Sequence, residues 1–158
     1  MVAVNCGRNQ TISVGKSEFR HLSTRETNPQ LDPCWESFVR QHPDASIYHH
    51  PAWLAALQRE YEQRGGYLIC EDSGGELLGL FPLMYTRGLP FSKRRPLMEA
   101  RLALLPRTPL AGPLTTYPHA TALLLQEALR RASGKQPVSL QIKTQKRNLF
   151  DLVNRIVV

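Results

Sequence analysis

Residues 67–86 read Tyr67-Leu68-Ile69-Cys70-Glu71-Asp72-Ser73-Gly74-Gly75-Glu76-Leu77-Leu78-Gly79-Leu80-Phe81-Pro82-Leu83-Met84-Tyr85-Thr86. Two apolar runs flank Asp72-Ser73-Gly74-Gly75, a tetrapeptide whose short polar side chains and paired glycines favour a chain reversal. The stretch therefore predicts a β-hairpin, with strands over 67–71 and 76–86. Gly79 and Pro82 fall inside the second run and imply a bulge or an edge position, because proline cannot donate to a ladder. Ser73 belongs to the turn; nothing around it supplies the histidine and buried aspartate that a serine nucleophile requires.

Working toward the N-terminus, Pro51 opens a helix whose apolar stripe is Trp53, Leu54, Leu57 and Tyr61, with Gly65-Gly66 as its expected stop. Residues 46–50 are expected to be extended. Before them, Asp32 followed by Pro33 is an N-cap with proline at the first helical position, and Trp35, Phe38 and Val39 continue at helical spacing up to His42-Pro43. Residues 11–14 and 18–22 each predict a short strand within an N-terminal segment, 1–30. Working toward the C-terminus, residues 87–116 contain five prolines and a strand at 101–105. Pro118 to Ala132 is a helix, with Ala120, Leu123, Leu124, Ala128 and Ala132 on one face and Gly134 as its terminator. Residues 137–143 alternate as a strand, and 149–156 carry apolar residues at i, i+3, i+4 and i+7 as a final helix. Strands and helices so interleaved place the chain in the α/β (α+β) class.

A chain of 158 residues with 42% hydrophobic and 21% charged residues has the composition of one folded domain, which excludes disordered and fibrous classes. The longest apolar runs, such as 102–106 and 122–125, are far too short to span a bilayer, and no secretory signal is visible; a cytoplasmic protein is expected. Cys6, Cys34 and Cys70 form no CxxC pair, so no zinc or dithiol centre is expected. His42, His49 and His50 also lack a zinc spacing. The net charge of +7 is uneven: residues 87–107 carry +5, residues 130–158 carry +6, and the remainder carries −4. Such asymmetry points to an anionic partner or to a solvated basic face. Aromatics are too sparse in the basic segments for a base-stacking platform, and specific DNA binding is not expected. Leu105-Pro106-Arg107-Thr108-Pro109-Leu110-Ala111-Gly112-Pro113-Leu114 is either a rigid spacer or a cleft wall, in which Arg107 clamps an anion and Gly112 admits a close backbone approach. The phosphate-cradling glycine loops are absent.

The series Trp35, Phe38-Val39, His42-Pro43-Asp44-Ala45-Ser46, Ile47-Tyr48-His49 and Trp53, followed by Tyr67-Leu68, Gly75-Glu76-Leu77 and Gly79-Leu80-Phe81-Pro82-Leu83, resembles the opening of FemAB-like proteins of the GNAT superfamily. The likeness extends over residues 33–157. It implies a GNAT-like mixed sheet flanked by helices, with 31–158 as an N-terminal lobe whose second lobe is absent. It implies transfer of an acyl or aminoacyl group, from acyl-CoA or aminoacyl-tRNA, to the amine of a small molecule or of a cell-wall or exopolysaccharide precursor. The acyl-CoA pyrophosphate loop of the superfamily has no counterpart here, so the lobe is expected to need a second lobe or another subunit. The chain's apolar end, Arg155-Ile156-Val157-Val158, fits a truncated lobe. Tyr48, His49, His50 and Trp53 are the candidates for a substrate-binding cleft edge, with Arg107, Thr108 and Gly112 opposite; no catalytic residue and no resident cofactor is assigned. The competing expectation is a non-catalytic module that binds an anionic ligand such as RNA or anionic lipid.

Overall fold

Proline opens each helix of the computed structural model, which describes residues 21–87, 100–104, 111–133 and 139–141. The first helical position has no intrahelical partner for its N–H, so proline loses nothing there and pre-sets φ. Helix α1 (Pro33–Gln41) is capped by Asp32, whose carboxylate accepts from the Cys34 N–H at 3.1 Å and from the Thr27 hydroxyl at 2.9 Å. It ends at His42, extended at ψ 126°, as the residue before Pro43 must be. Helix α2 (Pro51–Tyr61) uses a histidine in the same role: Nδ1 of His50 accepts from the Ala52 N–H at 3.2 Å. Between them, where 46–50 was expected to be extended, only Ser46 and His50 are. Ile47–His49 form a 3₁₀ turn, held by the His49 N–H on the Ser46 carbonyl and by the Ser46 N–H on the His49 ring. Nor does α2 run to Gly65-Gly66; it stops at Glu62, the C-cap, in the left-handed region at φ 48°. Gly65 serves another purpose, since a Cβ there would lie 2.1 Å from the Tyr67 ring.

The strands are β1 (Leu22–Glu26), β2 (Leu68–Asp72), β3 (Leu77–Phe81), β4 (Leu83–Arg87), β5 (Ala100–Leu104), β6 (Leu114–Thr115) and β7 (Ser139–Gln141), with α3 (Pro118–Ala132) between β6 and β7. The first strand thus begins where the segment 18–22 was expected to end. The hairpin β2–β3 forms as predicted, with Asp72 Oδ1 accepting from the N–H groups of Gly74 and Glu76 at 2.9 Å each. The second predicted strand is split in two at Pro82. One sheet has the order β1-β2-β3-β6, all antiparallel; the other has the order β4-β5-β7, in which β5 and β7 are parallel. The segment beside β4 opposite β5 is 64–66, which pairs through Gly66 N–H to Leu83 O and Tyr85 N–H to Arg64 O. The expectations at 11–14, at Gly134 and at 149–156 lie outside the described residues.

A bulge decides which face each side chain takes. Cys70 pairs with Gly79 but Glu71 pairs with Leu77, so Leu78 is the extra residue and the alternation beyond it is reset. Leu68, Cys70, Leu78, Phe81 and Leu83 then pack against Ala120, Leu124, Leu125 and Ala128 of α3. Ile69, Leu80 and Met84 point the other way, onto Trp35 and Val39 of α1 and Leu54 and Leu57 of α2. The fold is a mixed α/β structure in three layers, with the strands between α3 and the α1/α2 pair. On α3 Leu125 joins the buried stripe, where Leu123 was expected; Leu123 is only partly buried. Gly79 lies where α3 and β6 meet: a Cβ would sit 2.7 Å from Thr115 Cγ2 and 3.1 Å from the Leu114 carbonyl oxygen.

The end of α3 is tied to the first strand by charge. Glu127 accepts from Arg130 and from Arg131, each at 2.7 Å, and Arg131 also binds Glu26 of β1. Hydrogen bonds from Arg130 and then Arg131 pull the Glu127 carboxyl down to about 2 against the opposing effect of burial. Its contribution to stability is present above the ordinary carboxyl value and is lost as the pH falls toward 2. Glu127→Gln is expected to flatten the acid limb of a thermal-unfolding profile between about pH 5 and pH 2; a limb of unchanged slope rejects this role. Gly79→Val is expected to cost about 1–3 kcal/mol by overpacking, read as a lower denaturation midpoint at constant m-value.

Candidate functional site

The ladder opposite the long β3–β4 track is discontinuous. Leu83 pairs with Leu104 at the end of β5, and Leu80 pairs with Leu114 at the start of β6, so the described pairings on this side skip Phe81 and Pro82. Pro82 has no N–H to offer at that point. The returning stretch 111–115 is then fastened from both sides. On the α3 side, the Thr116 N–H and hydroxyl donate to the Leu78 carbonyl at 3.0 and 3.2 Å, and the hydroxyls of Thr115 and Thr121 meet at 2.6 Å. On the α1/α2 side, the fastening is made by two histidines.

His49 is 3% exposed. Its Nδ1 accepts from the Ser46 N–H at 3.2 Å and lies 3.0 Å from the Ser46 hydroxyl, and its Nε2 lies 3.1 Å from the Gly112 carbonyl oxygen. An acceptor at Nδ1 requires the proton on Nε2, so the neutral ring donates to Gly112. Burial pushes the His49 ring below its ordinary value, outweighing the bonds to Gly112 and Ser46, with His42 adding a small depression. His42 repeats the pattern at the end of α1: Nδ1 accepts from the Asp44 N–H at 3.1 Å and Nε2 lies 3.2 Å from the Thr115 carbonyl oxygen. Trp35, fully buried, donates its indole N–H to the His49 carbonyl at 2.8 Å and stands edge-on to Tyr67.

Outside this clasp lies an open groove of about 690 Å³. Val39, Ala45, Ile47, Ala52, Trp53 and Ala56 form its apolar wall; Arg40, Ser46 and His50 supply the polar rim. Ile47 is 63% exposed, unusual for its type. Tyr48 stands edge-on to Trp53 at 5.7 Å, and the Trp53 indole nitrogen is buried with no partner among the described residues. Glu36 faces two of the rim side chains, at 2.5 Å from Arg40 and 3.9 Å from His50 Nε2.

The expected cleft edge is therefore divided. His50 and Trp53 do line the groove, and Tyr48 packs on Trp53. His49 points inward, with both ring nitrogens occupied by backbone, so it positions the chain and is not an open substrate contact. Gly112 is joined to it through its carbonyl. Arg107 and Thr108 lie outside the described residues. The sequence reading missed His42, Ser46 and Thr115 as partners, although His42 and His49 stand seven apart with Ser46 between them. Among the described residues no group of three or more His, Cys, Asp or Glu side chains is arranged to hold a metal ion, and no helix is long and apolar enough to cross a membrane. No protein-family model, curated protein or solved structure matches the chain.

Trp35→Phe keeps an aromatic ring, though a smaller one, and removes the N–H that holds the 3₁₀ turn. A loss of about 1–3 kcal/mol in unfolding free energy is expected from the unpaired His49 carbonyl. An unchanged denaturation midpoint would show that the bond contributes nothing.

Proposed function

We propose that this chain is one lobe of an N-acyl or aminoacyltransferase of the FemAB-like, GNAT type. The observation that carries the proposal is the break in the ladder between Leu104 and Leu114, at the carboxyl end of β5. β5 has a parallel neighbour, β7, reached through α3, and ligands of open sheets gather beyond the carboxyl ends of such strands. The element order of strand, two helices, three strand tracks, helix and strand agrees with the resemblance noted above.

In this function the amine nitrogen of the acceptor attacks the donor's acyl carbon. The thiol of CoA, or the ribose hydroxyl of tRNA, leaves with the proton that the amine gives up. The barrier falls chiefly by holding amine and carbonyl together and by meeting the developing oxyanion with backbone N–H donors. His49 does not take the proton while its Nδ1 accepts from Ser46; its task is to hold Gly112 and the stretch that follows. The groove beside Trp53 and His50 is the acceptor or acyl-chain side of the site, completed by a second lobe or another subunit. The donor is a substrate, and no resident cofactor is invoked.

A second reading, a non-catalytic module for an anionic ligand such as RNA or anionic lipid, is favoured by the +5 and +6 segments and by the occupied nitrogens of His49. Labelled acyl-CoA and aminoacyl-tRNA, each incubated with amine acceptors, separate the two. The assay uses the chain alone and the longest product of the reading frame that contains it. Amide product from either supports the transferase. Absence of product from both, with RNA retention that falls steeply with salt, replaces it by the binding module.

A further inference from the structure

We infer that His42 and His49 form a proton-released latch, which holds the stretch 111–115 against the α1/α2 layer and lets it go when the rings are protonated. Both rings are wired alike. Each accepts at Nδ1 from a backbone N–H of the α1–α2 connection, Asp44 or Ser46, and each faces a carbonyl of the returning stretch, Thr115 or Gly112, through Nε2. A proton added at Nδ1 turns an acceptor into a donor that confronts an N–H. The Asp44 and Ser46 amides then lose their partner, and the loop geometry that aims Nε2 at the strand is lost with it. The latch does not depend on the transferase proposal, since it needs only the two rings and the backbone they join.

On the side of the stretch 111–115, nothing among the described residues compensates a positive charge. The stretch Ala111-Gly112-Pro113-Leu114-Thr115 carries no ionisable side chain. The buried side chains of that face are Trp35, Val39, Leu54, Leu57, Tyr67, Ile69, Leu80 and Met84 with Ala111 and Leu114, and none is charged; Tyr67 is held protonated by burial. Asp44, Glu36, Arg40 and His50 belong to the α1–α2 connection and its flanking helices, and Glu36 is engaged with Arg40 and His50. His42 adds to the depression that burial imposes on His49. The sign follows: the closed form binds the neutral His49, so closure is favoured above the ordinary imidazole range and weakened as the pH falls below it. Protonation thus loosens the hold of the α1/α2 layer on this stretch, while the β6–β3 pairing and the Thr116 bonds to Leu78 remain.

Amide hydrogen exchange at pH 7.5 and pH 5.5, corrected for intrinsic rates, tests the latch in the unaltered chain. The amides of Asp44, Ser46, Ala111 and Gly112 are expected to lose protection at pH 5.5 by up to about tenfold, while β2 keeps its protection. His49→Gln and His42→Gln together should abolish that difference. Nitrogen chemical shifts of the two imidazoles give a readout that needs no variant: at pH 7.5 both must show a bare Nδ1 and a protonated Nε2. A protonated Nδ1 at pH 7.5, loss of protection in β2 and 111–115 together, or an undiminished pH effect in the double variant would each overturn the proposal.

Discussion

Pro82 has no N–H, and it stands in the middle of what would otherwise be one strand from Leu77 to Arg87. Because Leu83 and Tyr85 bond toward residues 64–66, the donor that Pro82 lacks falls on the opposite side, facing β5 and β6. On one side β2 pairs only as far as Leu68 with Phe81, and the chain continues past β4 as the segment around Gly65 and Gly66. On the other side β6 pairs up to Leu80 and β5 resumes at Leu83. The division of the track into β3 and β4, and with it the division into two sheets, falls at that missing donor.

The bulge at Leu78 is the second constraint, and it acts together with the first. Without the extra residue, alternation along β3 would send Leu80 and Phe81 to the opposite faces from those they occupy. With it, Phe81 and Leu83 both serve the α3 core on either side of the proline, while Leu80 and Met84 both serve the α1/α2 core. Two apolar layers are thereby filled from one bent strand track, and Gly79 leaves room for α3 and β6 to close over it.

The clasp made by His42 and His49 occupies the seam between these layers. Strand carbonyls facing a helical layer ordinarily have no partner there, and a buried carbonyl without one is costly. Imidazole suits the position because one ring can accept from its own loop and donate across the seam at the same time. The groove beside Ile47 and Trp53 is a by-product of that arrangement: the 3₁₀ turn which aims His49 inward turns Ile47 outward. Among the described residues, the most deeply placed imidazole is thus already fully bonded.

Local signals were legible where one residue type answers one backbone need. Asp32-Pro33, Pro51 and Pro118 mark the helix starts, Asp72-Ser73-Gly74-Gly75 marks the hairpin, and Gly79 with Pro82 marks the irregular strand. The candidate residues Tyr48, His50 and Trp53 could be placed near one another because they lie within a few positions of one helix start. The inward turn of His49 could not be read, because its partner Gly112 lies more than sixty residues along the chain and nothing local records that approach. The same holds for His42 with Thr115 and for Arg131 with Glu26. Short-range sterics and hydrogen-bond supply were thus written in the amino-acid order itself, whereas the faces of β3, the joining of β5 to β7 and the protonation state of the buried histidine were decided only when distant segments excluded water between them.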